Sequence, residues 1–194
     1  MRLSGLVAVL VVGASCSGNG TQSESSPLST EPPASNLVEV IAATEQRPYS
    51  FMLPEGWRVE DTVHSDGGSF LIDPGDNPSA GGKVYGVIEP SGQVVKYDPP
   101  PTDKEVRAIE ADGSEAPEPE SISVSGRPAW QMLVTRDDPE PASSLFVGVD
   151  VGGGAGFQLI FFWTSDEYRK DLFTEIVASV EIDSALLDSA LERG

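Results

Sequence analysis

The sequence has 194 residues, enough for one domain whose core needs no covalent staple. Twelve Lys and Arg stand against 31 Asp and Glu, a net charge of -19, which argues against nucleic acid or a polybasic contact with anionic lipid as partners. A single cysteine, Cys16, rules out an intrachain disulfide, and a single histidine, His64, rules out a histidine-rich zinc site. The acidic surface reads as a feature of solubility or of a salty habitat, with attraction of basic partners or divalent cations as the functional alternative.

Residues 1–15 are predicted to be a lipoprotein signal peptide. Arg2 supplies one positive charge, Leu3 to Gly13 (LSGLVAVLVVG) is a short apolar run, and Ala14-Ser15 precede Cys16. The run is too short for a transmembrane helix, which needs about 20 apolar residues. The Ala-Ser-Cys ending resembles a bacterial lipobox, where cleavage before the cysteine follows attachment of diacylglycerol to its sulfur. It departs from that motif at Gly13, where Leu is usual. The expectation is lipidation of Cys16 and attachment to the extracytoplasmic face of the cell membrane. The alternative is cleavage at a neighbouring small-residue site, releasing a free secreted domain. Residues 16–35, almost wholly Ser, Gly, Pro, Thr and Glu, read as a disordered tether, and residues 36–194 as a single α+β domain, expected to be monomeric.

Leu37 to Thr44 is apolar but too short for periodicity to separate strand from helical turn. Strands are predicted over Tyr49 to Leu53, Trp57 to Glu60, Ser69 to Asp73 and Lys83 to Glu89, with turn chemistry between them that indicates antiparallel pairing. After Pro99-Pro100-Pro101, the capping box of Thr102 to Glu105 opens a short helix with Val106 and Ile109 on one face, ending before Gly113. Glu115 to Glu120 reads as an acidic, Pro-rich loop without an apolar face. Strands follow over Ser121 to Val124, Ala129 to Thr135 and Ser144 to Val151.

The strand Phe157 to Trp163 is apolar at nearly every position, which predicts a central strand covered on both faces. The glycines at 152–154 and Gly156 before it do not form a phosphate loop, because a strand rather than a helix follows; they read as a hairpin turn. Thr164 to Glu167 is a second capping box. It opens a helix over Ser165 to Val180 whose stripe of Tyr168, Leu172, Phe173, Ile176, Val177 and Val180 is expected to dock on the sheet, with Arg169, Lys170 and Glu175 facing away. Asp183 is placed to cap a last short helix carrying Leu186, Leu187 and Leu191.

The order of these elements, with Tyr49-Ser50-Phe51-x-x-Pro54-x-Gly56-Trp57 first, Ser125-Gly126-Arg127-Pro128-Ala129-Trp130 in the middle and Ser179-Val180 at the end, resembles the PsbP-like fold. That fold occurs in actinobacterial LpqN-type lipoproteins and in a Ran-binding nuclear transport factor, and the resemblance runs from about Tyr49 to Ile182. It implies an antiparallel sheet sandwiched by helices and a non-enzymatic adaptor or assembly role. Pro54-Glu55-Gly56 would be a turn and Trp57 a core aromatic. For Trp57 and Trp130, strand-like alternation favours core packing over an exposed anchor.

No catalytic, metal or cofactor motif is legible. His64 lies in a Ser/Asp/Gly-rich stretch with no nucleophile elbow, so it reads as a solvated loop residue. Asp73-Pro74-Gly75-Asp76-Asn77 and Asp137-Asp138 lack the alternating ligand spacing and distal Glu of a loop-type calcium site. The leading expectation is a membrane-anchored binding or adaptor module for another envelope protein, with the sheet face or its loops as contact. A small-molecule or lipid carrier with a pocket between sheet and helix is the second, and an enzyme the third.

Overall fold

The computed structural model describes residues 37–61, 68–72, 80–89, 91–136, 142–164 and 168–193. Cys16, the tether, His64, the turn at 73–77, Asp137, Asp138 and the second capping box beyond Thr164 lie outside the described residues. In chain order the elements are β1 (Leu37–Ile41), β2 (Tyr49–Pro54), β3 (Arg58–Asp61), β4 (Gly68–Ile72), β5 (Ala80–Tyr85), α1 (Asp103–Ala111), β6 (Ser114–Glu115), β7 (Glu120–Val124), β8 (Arg127–Arg136), β9 (Ala142–Gly152), β10 (Ala155–Trp163), α2 (Tyr168–Ala178), β11 (Glu181–Ile182) and α3 (Ser184–Arg193). The fold class is α+β, with antiparallel pairing throughout and helices on both faces of the main sheet.

The described strands form two sheets. The larger runs β3-β4-β5-β10-β9-β8-β6, with β7 also on β8; the smaller runs β1-β2-β11. The Pro54-Glu55-Gly56 turn is present, with the Trp57 amide donating to the Pro54 carbonyl at 3.2 Å. It does not make a hairpin. The chain leaves β2 in the small sheet and enters β3 in the large one, and β3 pairs with β4. Leu37–Ile41, which periodicity left open, is an edge strand because β2 offers it a partner from Phe51 to Pro54.

Strict alternation on the central strands sorts side chains between two faces. On the first, Leu145, Val147, Val149 and Val151 of β9 meet Phe157, Leu159, Phe161 and Trp163 of β10, all buried. Two elements cover this face. At one end β2 packs its alternate residues Tyr49, Phe51 and Leu53 inward, and Tyr49 stacks on Phe157 with centroids 4.1 Å apart. At the other end α2 inserts Phe173, Ile176 and Val177. Ser179 ties the two together, its hydroxyl accepting from the Met52 amide at 2.9 Å and donating to the Ile176 carbonyl at 2.7 Å. Of the predicted stripe, Leu172, Phe173, Ile176 and Val177 pack on the core, Val180 is buried just past the end of the helix, and Lys170 is exposed on the far side.

The turn chemistry places the hairpins. Gly153 and Gly154 have φ of 64° and 78°, a backbone that residues with a Cβ rarely adopt, and they close the two-residue connection of β9 to β10. Ser125 and Gly126 do the same for β7 and β8, and the Ser125 hydroxyl accepts from the Ile182 amide, linking that hairpin to β11. Asp183 caps α3 through the Leu186 amide at 3.0 Å, and α3 buries Leu187 and Ala190.

Several boundaries differ from the sequence reading: β8 and β9 run longer than expected, at Arg127–Arg136 and Ala142–Gly152, and α2 ends at Ala178, before Val180. The strand expected over Lys83 to Glu89 lies at Ala80–Tyr85; Val87 and Ile88 leave it because their amides bond the Gln46 carbonyl. The stretch Glu115 to Glu120 is not simply a loop. Glu115 belongs to β6, Glu120 to β7, and Ala116 between them is buried, because the long strand β8 pairs with both. Ile182, with Glu181, forms β11 against Tyr49 and Ser50, a two-residue pairing too short to show as a pattern.

Candidate protein-docking face

The second face of the large sheet is only half covered. At the end near the glycine turn, Trp130 and Tyr97 lie on it. Gly148 makes this possible, since a Cβ there would overlap the Trp130 indole, 2.5 Å from its Cε2. The indole N–H donates to the Asp98 carbonyl at 3.0 Å, and Gln158 donates to the Asp98 carboxylate at 2.7 Å, so segment 95–98 is stitched across the strands. Burial raises the Tyr97 phenol above its ordinary value, with Asp150 and Asp98 adding to the effect. Beside this segment α1 contributes Val106 and Ile109 to a cluster with Ala116, Trp130 and Met132.

That helix starts as predicted. The Glu105 carboxylate accepts from the Thr102 amide at 2.8 Å and from its hydroxyl at 2.7 Å, and these bonds hold Glu105 below the usual carboxylate value. Both tryptophans of the sequence reading are core residues. Trp57 meets Phe173 edge-on at 6.1 Å, and Trp130 fills the second cluster.

Beyond α1 the described residues leave the second face open. Register places Ile72, Gly81, Phe162 and Ser144 side by side in one row across β4, β5, β10 and β9, and Phe70, Lys83, Ile160 and Phe146 in the next. Phe162 is 45 % exposed, although it sits on the central strand. Its ring rests on the neighbouring strand, where a Cβ on Gly81 would come within 2.9 Å of Cζ. The Lys83 ammonium lies 5.2 Å from the Phe70 ring centre and 4.9 Å from that of Tyr85, giving the patch one cation seated on aromatic faces. The expectation that Phe157 to Trp163 is covered on both sides is therefore corrected. Phe157, Leu159, Phe161 and Trp163 are buried, whereas Phe162 faces outward, because α1 is nine residues long and reaches only the β6–β8 side.

A central aromatic standing out of a sheet, ringed by apolar and half-buried neighbours, is what a protein contact recruits: a large rigid side chain with little entropy to lose. The space between the sheet and α2, where a carrier would need its pocket, is filled by Phe161, Trp163 and Phe173, with ring centres 4.6 and 5.4 Å from Phe173. Among the described residues no three His, Cys, Asp or Glu side chains gather to hold a metal ion. The sequence reading names a sheet face as contact, but the exposure of Phe162 escaped it because an unbroken apolar run looks alike whether one side of it is covered or not. The one signal was Gly81-Gly82 beside a strand of aromatics.

Fold and site together define an α+β domain whose main sheet leaves an aromatic, Phe162, exposed on its central strand. Among solved structures it is similar to the cyanobacterial PsbP protein CyanoP of Synechocystis, at 14 % identity and a TM-score of 0.49, covering 81 % of this chain and 99 % of that one. It is also similar to the Ran-binding protein Mog1p of Saccharomyces cerevisiae, at 10 % identity and 0.47, covering 72 % and 93 %, and to LpqN of Mycobacterium tuberculosis, involved in cell envelope biogenesis, at 16 % and 0.47, covering 69 % and 82 %. No family model matches the sequence, and no characterised protein matches it in sequence. No catalytic family is thereby assigned to it, and a likeness of this degree transfers neither ligand nor partner.

Proposed function

We propose that this chain is an exported lipoprotein, lipidated at Cys16 and held at the extracytoplasmic face of the cell membrane, whose domain is a non-enzymatic binding module for another envelope protein. The open sheet face carries the reading: Phe162, 45 % exposed on the central strand, is a docking aromatic. The leader, the small residues before Cys16 and the polar tether of residues 16–35 support the anchor. Among the described residues no helix is long and apolar enough to cross a membrane.

A photo-reactive phenylalanine analogue at position 162, and separately at the exposed Thr174 on the outer side of α2, tests the face in intact cells. One discrete adduct from 162, absent from 174 and lost on Ile160→Asp, is the expected result. No adduct from 162, or the same pattern from both positions, overturns the docking face. Membrane fractionation with mass spectrometry of the N-terminal peptide tests the anchor, and a soluble wild-type form beginning after residue 15 without lipid overturns it.

A further inference from the structure

The strand β1 is the edge of the small sheet, with β2 its one partner among the described strands. Val38 and Val40 on it are 59 % and 64 % exposed, more open than any other large apolar side chain among the described residues. The backbone beside them is unpaired as well. Val40 stands opposite Met52, and the Met52 amide donates away from β1, to the Ser179 hydroxyl at 2.9 Å. Val40 and Met52 are therefore a non-hydrogen-bonded pair, in which the N–H and C=O of Val40 point outward from the edge of the sheet. Among the described residues nothing meets them there. A donor and an acceptor side by side on an extended backbone are what an added strand pairs with, and here they accompany an apolar side chain standing in water.

The edge is short, which limits what fits. A slip in register leaves Val38 without a residue opposite it on β2, and past Ile41 the Ala42 carbonyl is already taken by the Arg47 guanidinium at 3.1 Å. Charge narrows the occupant further. Glu39 lies at the centre of β1, and Glu55 follows Pro54, the residue opposite Leu37; both are exposed. Neither takes part in an ion pair among the described residues, where Arg58 pairs with Glu60 and Arg193 with Glu45. A second copy of this chain would bring the same carboxylates and a further net charge of -19 to the same line, so the edge is set against self-pairing.

We propose that β1 receives a short extended segment of the partner protein, paired through the Val40 backbone, with an apolar residue opposite Val40 and a lysine or arginine opposite Glu39. The main chain supplies the pairing, and the alternation of apolar and basic residues selects the sequence. The inference rests on the reading of the domain as a protein-binding module and adds a contact in the small sheet.

The full chain, labelled with ¹⁵N and held in zwitterionic detergent, is titrated with acetyl-Ser-Val-Lys-Val-Ser-amide. The same peptide with glutamate for lysine, and the same peptide with both valine nitrogens methylated, serve as comparisons. Saturable amide shifts centred on residues 37–41 are expected with the lysine peptide, about threefold weaker binding with the glutamate peptide, and none with the methylated one. Val40→Pro removes the outward N–H without touching the β1–β2 ladder, so it should leave the β2 amide signals in place and weaken binding about tenfold. Glu39→Lys should reverse the preference between the lysine and glutamate peptides. No saturable shift at 37–41, equal binding of the methylated peptide, unchanged binding by Val40→Pro or an unreversed preference in Glu39→Lys overturns the proposal. Shifts at 37–41 on concentrating the chain alone would give the edge to a second copy, and shifts on adding phosphatidylcholine nanodiscs without peptide would give it to lipid; either also overturns it. Crosslinking from position 162 reads the large sheet separately, so failure at this edge and failure of the docking face are distinguishable.

Discussion

Phe173 is the residue on which the packing of α2 turns. Its side chain is fully buried, stacked on Phe161 at 4.6 Å, tilted against Trp163 at 5.4 Å and met edge-on by Trp57 at 6.1 Å. Phe173→Ala removes a ring whose transfer from water contributes about 2 kcal/mol. It also leaves a void of roughly 100 Å³, which at about 24 cal/mol per Å³ costs a similar amount again if the walls stay in place. The three facing aromatics, Phe161 and Trp163 on β10 and Trp57 just before β3, are anchored at the sheet and cannot collapse far, so the loss should be about 4 kcal/mol, a large part of the 5 to 15 kcal/mol typical of a domain. Lys170→Ala, on the exposed side of the same helix, should stay within about 0.5 kcal/mol. Urea melts of the two variants against wild type measure both. Equal effects, or a loss below about 1 kcal/mol for Phe173→Ala, would mean that α2 does not dock by this face.

Gly148→Ala forces a methyl into the Trp130 indole and should lift it off its hydrogen bond to Asp98. The expected cost is about 2 to 4 kcal/mol with a red-shifted tryptophan emission, and a variant as stable as wild type in urea would refute the close approach. Tyr49 is buried, donates its phenol proton to the Tyr85 carbonyl and has its pKa pushed well above the ordinary value of 10.0 by burial. The folded chain thus holds this proton more tightly than the unfolded one, so the stability it contributes is complete below pH 10 and falls as pH rises beyond it. Tyr49→Phe should cost about 1 kcal/mol at neutral pH and show a shallower alkaline loss than wild type; parallel alkaline curves for the two would exclude Tyr49 as its source.

Much of this molecule is local chemistry. The capping box at Thr102 and Glu105, the stripe of α2, the glycine turn at 153–154 and the Asp183 cap each depend on residues within a few positions of one another, and each stands where its spacing puts it. Alternation on β8, β9 and β10 likewise fixes which side chains share a face before any partner is known. The assignment of strands to sheets is another matter. Tyr49 to Pro54 reads the same whether it pairs with Arg58 to Asp61 or, as it does, with Leu37 to Ile41 and Glu181 to Ile182, because pairing is a contest between distant backbones. The candidate site follows the same division. That Phe162 is aromatic is written in the chain, but that it is exposed depends on how far α1 reaches across the sheet. Glu115 and Glu120 likewise become strand residues only because β8 is long enough to pair with both β6 and β7. Spacing along the chain determines what can be buried; only the tertiary arrangement, by supplying or withholding a cover, decides what is.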